Sequence, residues 1–374
     1  MKLCLISSYY PPHIGGVERY VYNLSRELAA HGHDITVVTS NSEGLKTYEV
    51  NEEVRVYRFP CYNIAKNRFP FLKKNNEFKR MFDNLAKENF DAIILNQRFY
   101  RITKLAITLS IETKTPLHLI EHVTGHFTIH NKVLDYLGHI YEHRITAYLK
   151  KYVSKAFGVS IACIRWLEHF GIEGKEVIPN GISMNEGIDS SINIRAMYGM
   201  SDSSKVVCHA GRLVEEKGIL IMIEAFFQLL AKGHDVYLII SGDGPLLKQI
   251  IRLKNDRIIA TGNLPHEKIM SIISQSDCVV IPSFYPEGLP TLILESGYCK
   301  TPVIATEMGG ASEVIDNNVN GIVLEPKSIK HLINAISLIL MNEYRAKEMG
   351  DNLHKKIMSQ YTWDKIAHKL IENI

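Results

Sequence analysis

Two glutamates, Glu287 and Glu295, stand eight positions apart in the stretch PSFYPEGLPTLILESG, residues 282–297. The stretch ends an apolar, strand-like run, crosses a Gly/Pro-rich loop and enters a helix, whose first turn suits Pro290. Gly288 permits close backbone approach, and the N–H groups near Leu289 and Thr291 are placed to hold phosphate oxygens at that helix start. Glu287 then lies beside whatever is attached beyond the phosphate, and Glu295 reaches toward a group on the opposite side. A carboxylate accepts two hydroxyl hydrogen bonds well, so one acid for a sugar hydroxyl and one for a ribose diol is a consistent assignment. Two unrelated, solvated glutamates are the alternative.

Cations of the matching kind occur earlier. In HAGRLVEEKGILIMIEAF, Arg212 and Lys217 flank a Gly-bounded loop that leads into a helix. A guanidinium fork and an ammonium point charge beside a helix N-terminus suit a diphosphate, although surface-exposed cations would look the same. SGDGPLLKQI adds strand-exit turn chemistry, and TGNLPHEKI offers a loop around Leu264 whose backbone can meet a flat base. Near the start, Gly15 and Gly16 precede a helix, where backbone N–H groups can approach a ligand; a turn needing φ > 0 explains such a pair equally well. G-x-G-x-x-G is absent. In IEHVTGHF, His122 stands at a strand exit with His126 four residues on, but Gly125 argues against a metal-binding helix there. A neutral His122 hydrogen-bonded to a hydroxyl fits better, with a purely structural histidine as the alternative.

These loops need strands to carry them. KLCLIS, DITVVT, DAIILN, PLHLIEH and AFGVS alternate with helical patterns such as 17–31, and the rhythm restarts after EVIPNGIS with VVCHAG, DVYLIIS, RIIAT, DCVVIPS, TPVIAT and GIVLE. Apolar runs each followed by a helix indicate parallel strands buried on both faces. Two series in succession predict an α/β protein of two Rossmann-like domains, each a doubly wound parallel sheet. The Pro-Asn-Gly turn at 179–181 sets the boundary: 1–180, then 181–358, then an amphipathic helix over 359–374 crossing back to the first domain. In open parallel sheets ligands bind outside the carboxyl ends of strands, where these residues fall.

Composition sets bounds. A length of 374 residues suits two domains, and 46% hydrophobic with 22% charged residues describes a globular protein. A net charge of +3 makes nucleic acid an unpromising partner. The charge is unevenly placed: residues 1–180 carry 24 Lys/Arg against 18 Asp/Glu, the rest 19 against 22. Six scattered cysteines without a C-x-x-C pair favour a reducing compartment, and no segment predicts a membrane span, so a cytoplasmic location is expected.

Taken together, the E-x7-E element, GRLVEEKG, GDGP, IPNGI, PPHIGGVERYVYNLSREL and GGASEVIDNNVNGIVLEP resemble the retaining glycosyltransferases of family 4, with the GT-B fold of two facing Rossmann-like domains. The resemblance spans nearly the whole chain and is weak over 45–115. It implies that Arg212 and Lys217 bind the donor diphosphate, Glu295 the ribose and Glu287 the donor sugar. Gly16 would approach from the first domain, and His122 would sit near the transferred sugar, with His126 a competitor. The implied activity moves a hexose from a nucleoside-diphosphate sugar to a saccharide or lipid-linked saccharide acceptor, in bacterial-type surface polysaccharide or glycolipid synthesis. The family retains anomeric configuration. No D-x-D occurs, so neither a metal ion nor another cofactor is expected, and the cations and helix N–H groups would meet charge on the leaving diphosphate. A GT-B-fold nucleotide-sugar epimerase is the nearest alternative, ahead of a dinucleotide-dependent oxidoreductase or a binding module. Residues 66–82, KNRFPFLKKNNEFKRMF, interleave four phenylalanines with cations, which predicts peripheral binding to an anionic membrane surface at the inner face of the plasma membrane. A helix with its phenylalanines in the core is the alternative.

Overall fold

The computed structural model describes residues 1–13, 15–64, 69–128 and 131–374. The chain divides into two compact units, Met1–Asn180 with Trp363–Ile374, and Gly181–Thr362. The first unit runs β1 (Lys2–Ser7), α1 (Gly16–Ala30), β2 (Asp34–Asn41), β3 (Tyr48–Asn51), β4 (Val54–Ile64), β5 (Phe69–Leu72) and α2 (Asn76–Ala86). It continues with β6 (Ala92–Asn96), α3 (Ile102–Thr113), β7 (Leu117–Glu121), α4 (Lys132–Leu149), β8 (Val153–Gly158), α5 (Ile161–Glu168) and β9 (Gly174–Val177). Among the described residues its sheet has nine strands, ordered β3-β4-β2-β1-β6-β7-β8-β9, with β5 paired to β4.

Strands β4 to β9 along that order are parallel, as the apolar runs require, and the central strands β1, β6 and β7 are buried almost throughout. The edge differs. β3 and β5 pair antiparallel to the long strand β4, in the region where apolar runs are interrupted by charges and the sequence pattern is weak. Helix starts follow local chemistry: Asn75 accepts from Phe78 N–H, Asn131 from Val133 and Leu134, and Ser160 from Cys163.

The second unit runs α6 (Ile194–Met197), β10 (Lys205–Ala210), a 3-10 turn (Glu215–Lys217), α7 (Ile219–Ala231), β11 (Val236–Ser241), α8 (Leu247–Ile251) and β12 (Ile258–Gly262). There follow α9 (His266–Ser274), β13 (Cys278–Ile281), α10 (Thr291–Tyr298), β14 (Val303–Thr306), α11 (Ala311–Val314), β15 (Ile322–Leu324), α12 (Ile329–Met341) and α13 (Glu343–Gln360). Its all-parallel sheet has the order β12-β11-β10-β13-β14-β15, with the chain reversing direction of travel between β10 and β13. The core includes Val207, Phe226, Leu238, Val280 and Ile336. That reversal is the switch point at which open α/β sheets bind ligands.

The last helix, α14 (Trp363–Asn373), belongs to the first unit. It starts at Trp363 rather than 359 because α13 runs on to Gln360. Trp363 packs edge-on against Tyr20 of α1 at 5.4 Å, and Asp364 Oδ1 lies 3.1 Å from His31 Nε2.

Within 66–82, Lys66, Asn67 and Arg68 lie outside the described residues. The rest forms β5 and α2, and its rings turn inward. Phe69 lies 5.3 Å from Tyr100, Phe78 5.1 Å from Phe59, and Phe71 beneath the Arg101 guanidinium at 4.5 Å, while Phe82 is buried. This corrects the expectation of rings presented to lipid: Phe82 joins the first unit's core and Phe69 and Phe78 pack against it, which removes much of their area from water, while Phe71 is covered by Arg101. Lys73, Lys74, Lys79 and Arg80 remain exposed.

Candidate active site

The second unit assembles its charges at the switch point. Arg212 and Lys217 follow β10, and Glu287 follows the neighbouring strand β13. Lys217 Nζ lies 2.6 Å from Glu287 Oε2, both groups being only partly exposed. The expected diphosphate cation and the expected sugar carboxylate are therefore held together. Arg212 is exposed and has no ion pair among the described residues.

Backbone geometry fixes this loop cluster. Gly218, at φ 71°, closes the 3-10 turn, and a Cβ there would collide with the carbonyl of Pro282. Gly242 at φ 131° touches the Gly211 carbonyl just as closely, and Leu213 N–H donates to Asp243 O at 2.8 Å. The GDGP stretch thus buttresses the Arg212 loop. Gly310 N–H donates to Gly288 O at 2.7 Å, holding the loop that carries Glu287.

Helix α10 begins at Thr291 with Pro290 as its N-cap, one position earlier than a first-turn proline, and Leu289 and Gly288 are buried just before it. Glu295 is buried in α10. Its Oε1 lies 4.0 Å from His266 Nδ1, while His266 Nε2 lies 2.6 Å from Glu186 Oε2. Glu287 and Glu295 so have different partners. Leu264 is half-buried in the loop between β12 and α9.

In the first unit, Gly15 caps α1 with extended backbone (φ −174°), so no positive φ calls for glycine here. A Cβ at Gly16 would meet nothing within 4 Å. His122 leaves β7 buried, its Nε2 3.0 Å from Asn96 Oδ1 and its ring edge-on to Tyr20 at 4.6 Å. Burial pushes its pKa down to about 3, so the ring is neutral at pH 7. Beneath it, Arg98 is fully buried between Glu121 and Glu142, and Glu121 Oε1 accepts from the N–H groups of His122 and Val123. His126 is drawn elsewhere: its Nδ1 lies 2.8 Å from Glu142 Oε2, among the rings of His139, His143, Trp166, His169 and Phe170.

Comparison with known proteins decides the family. The model of glycosyl transferases group 1 matches residues 190–356, and that of glycosyltransferase family 4 matches residues 14–186. The chain belongs to the GT-B glycosyltransferases of group 1 and family 4. It is 27% identical over 378 residues to a glycosyltransferase of Methanocaldococcus jannaschii, covering 98% of this chain and 96% of that one. It is 23% identical over 393 residues to a putative teichuronic acid biosynthesis glycosyltransferase of Bacillus subtilis, covering 99% and 97%. Among solved structures, Anabaena HepE in complex with UDP-glucose shares the fold with a TM-score of 0.77 at 20% identity, over 100% of this chain and 99% of that one.

Several residues of this glycosyltransferase near the predicted ones escape sequence reasoning. His209, in β10, donates from Nδ1 to Val280 O at 2.8 Å, and its buried Nε2 has no hydrogen-bond partner among the described residues. Burial pushes its pKa to about 4, with Lys217 adding to that effect. One histidine inside the apolar run VVCHAG was the available signal. Glu186 and His266 gave none beyond a histidine at a helix start. Arg98 and Glu142 are 44 positions apart and carry no motif. All six cysteines are free thiols, and among the described residues no helix is long and apolar enough to cross a membrane. An exposed apolar face does occur on α4, at Val133, Leu134, Tyr136 and Leu137, beside Lys132 and Arg144.

Proposed function

We propose that this glycosyltransferase moves a hexose, with retention of anomeric configuration, from a nucleoside-diphosphate sugar to a saccharide or lipid-linked saccharide acceptor in surface polysaccharide or glycolipid synthesis. The observation that carries this reading is the Lys217–Glu287 pair beside the exposed Arg212 at the β10/β13 switch point. It supplies a cation for the diphosphate in contact with a carboxylate for the sugar. In the transfer, the bond from the sugar's C1 to the diphosphate oxygen breaks and a bond from C1 to an acceptor hydroxyl oxygen forms. The acceptor proton leaves to the diphosphate or solvent. Charge growing on the leaving diphosphate is met by Arg212, Lys217 and the N–H groups at the start of α10, with no metal or other cofactor required. Glu295 holds the ribose, Leu264 lines the base, Gly16 admits the phosphate or sugar, and neutral His122 hydrogen-bonds a sugar hydroxyl.

The complex of Anabaena HepE with UDP-glucose makes UDP-sugars the first donors to try, and the similarity to a putative teichuronic acid biosynthesis glycosyltransferase of Bacillus subtilis supports a role in glycan synthesis. Thermal shift followed by hydrolysis across UDP-, GDP- and ADP-sugars tests the reading. Stabilisation and slow release of nucleoside diphosphate by one class is expected; no response to any member overturns it. Peripheral binding to anionic membranes is part of the proposal, with α4 rather than the rings of 66–82 supplying the apolar contact and Lys73, Lys74, Lys79 and Arg80 the charge. Co-sedimentation with phosphatidylglycerol vesicles should fall on Leu137→Glu. Persistence of the wild type in the supernatant at low salt overturns this part.

A further inference from the structure

Three histidines from separate segments of the first unit converge: His126 on the loop after β7, His143 midway along α4, and His169 at the C-terminal cap of α5. One ligating nitrogen from each lies within 4.8 Å of the other two. Their ring centroids are separated by 5.3, 5.5 and 5.2 Å, with interplanar angles of 46°, 80° and 65°. The rings therefore fan around a common point instead of stacking. A tetrahedral zinc ion about 2.0–2.1 Å from three imidazole nitrogens sets neighbouring ring centroids about 5 Å apart, the spacing seen here. His143 and His169 are exposed, so core packing does not account for their convergence.

The surroundings match a cation. Glu142 Oε2 lies 2.8 Å from His126 Nδ1, and a carboxylate on one ring nitrogen fixes the tautomer that presents the other as ligand and makes it more basic. Glu142 is itself gripped by Arg98, which also holds Glu121, so one cation and two carboxylates leave net negative charge beneath the rings. Trp166, stacked on His169 at 4.8 Å, and Phe170, edge-on to His126 at 5.9 Å, wall the site with apolar surface.

The geometry points to a zinc(II) site formed by His126, His143 and His169, with Glu142 orienting His126 and the fourth coordination position open to water or an anionic ligand. The ion ties the loop that begins at His122 to α4 and α5. That role is separate from the leaving-group cations, which belong to the second unit. Imidazole ligands also suit copper and nickel, so the metal is tested directly.

The experiment uses the full chain without an affinity tag, stripped with EDTA and titrated with zinc or cobalt. About one tightly held metal per chain is expected by calorimetry and elemental analysis, and cobalt should give the intense visible bands of a tetrahedral site. His143→Ala with His169→Ala should abolish uptake, and both positions are exposed enough for the variant to fold. Glu142→Gln should weaken zinc binding about 10- to 100-fold. The second group with ligand-like spacing, His31, Asp364 and His368, provides the control. Loss of uptake in His31→Ala with His368→Ala but not in His143→Ala with His169→Ala overturns the assignment, as does a wild type that takes up no metal at micromolar concentration. Because the readout is metal content, failure here leaves the donor reading untouched, and failure of glycosyl transfer leaves this one standing.

Discussion

The two units solve the same problem with different materials. Both are doubly wound sheets whose candidate residues leave the carboxyl ends of strands. In the second unit those residues ride on loops shaped by backbone contacts: Gly218 against Pro282, Gly242 against Gly211, Gly309 with a Cβ position 2.6 Å from the Gly288 carbonyl. Arg212, Lys217 and Glu287 remain reachable by solvent, whereas Glu295 is buried. In the first unit the ring contacts of His122 come from side chains. The ring is held by buried side chains: Asn96 at its edge, Tyr20 in a T-shaped contact, and the Arg98–Glu121–Glu142 network under the loop. One site is framed by main chain, the other by side-chain electrostatics in a low-dielectric interior.

The contrast is sharpest for glycine. Gly218→Ala adds a Cβ at positive φ against a backbone carbonyl that cannot retreat, so the second unit should lose about 3–5 kcal/mol in urea denaturation. Gly16→Ala meets open space at a helix start and should leave stability unchanged or raise it by up to about 1 kcal/mol, while donor turnover falls. A Gly16→Ala enzyme with full turnover would remove that residue from the donor site. Equal stability losses in both variants would erase the contrast between the units.

The second comparison concerns charge. Arg98→Met leaves Glu121 and Glu142 buried without their cation and should cost the first unit about 3–5 kcal/mol. Lys217→Met breaks a partly exposed pair and should change stability by less than about 1 kcal/mol. It should instead weaken nucleoside-diphosphate binding by about 1.5–3 kcal/mol in calorimetry, as should Arg212→Ala. Unchanged affinity in both would take the diphosphate away from this loop.

Within the second unit, Glu295→Ala should weaken binding of the bare nucleotide by about 1.5–3 kcal/mol, the range for hydrogen bonds to a charged group. Glu287→Ala should leave that affinity nearly intact and cut kcat. The reverse pattern would exchange the two carboxylates' roles.

The smallest effect is graded with pH. His118 and His122 in the first unit are pushed by burial to pKa values of about 4 and about 3, and His209 in the second to about 4. An unfolded histidine takes up a proton near pH 6.5, which the buried rings refuse. Stability from these groups is therefore complete above about pH 6.5 and falls with acid by up to about 1.4 kcal/mol per pH unit for each ring. Glu142, whose carboxyl burial pushes up, works in the opposite sense and partly offsets the first unit's loss. Urea midpoints at pH 7 and pH 5 should drop for both units. His209→Gln should flatten the second unit's dependence, and an unaltered slope would mean that ring is not protected from protons.

Legibility follows the same division. GRLVEEKG, GDGP and the E-x7-E element could be read because a backbone that must pass within contact distance of another backbone admits only glycine, at a fixed offset from a strand end. The alternation of apolar runs with helical patterns likewise determined two doubly wound sheets, since strands buried between helices favour apolar residues. Tertiary structure alone decided the rest. Arg98, Glu121 and Glu142 come from three elements whose spacing means nothing until the sheet order puts them side by side, and His126 joins His143 and His169 for the same reason. The phenylalanines of 66–82 could have faced lipid or core, because a periodic apolar face specifies burial but not its partner, and only packing against Phe59 and Tyr100 settled it. Local sequence determines what the backbone can do within a few residues; contacts between distant segments depend on where the whole sheet carries them.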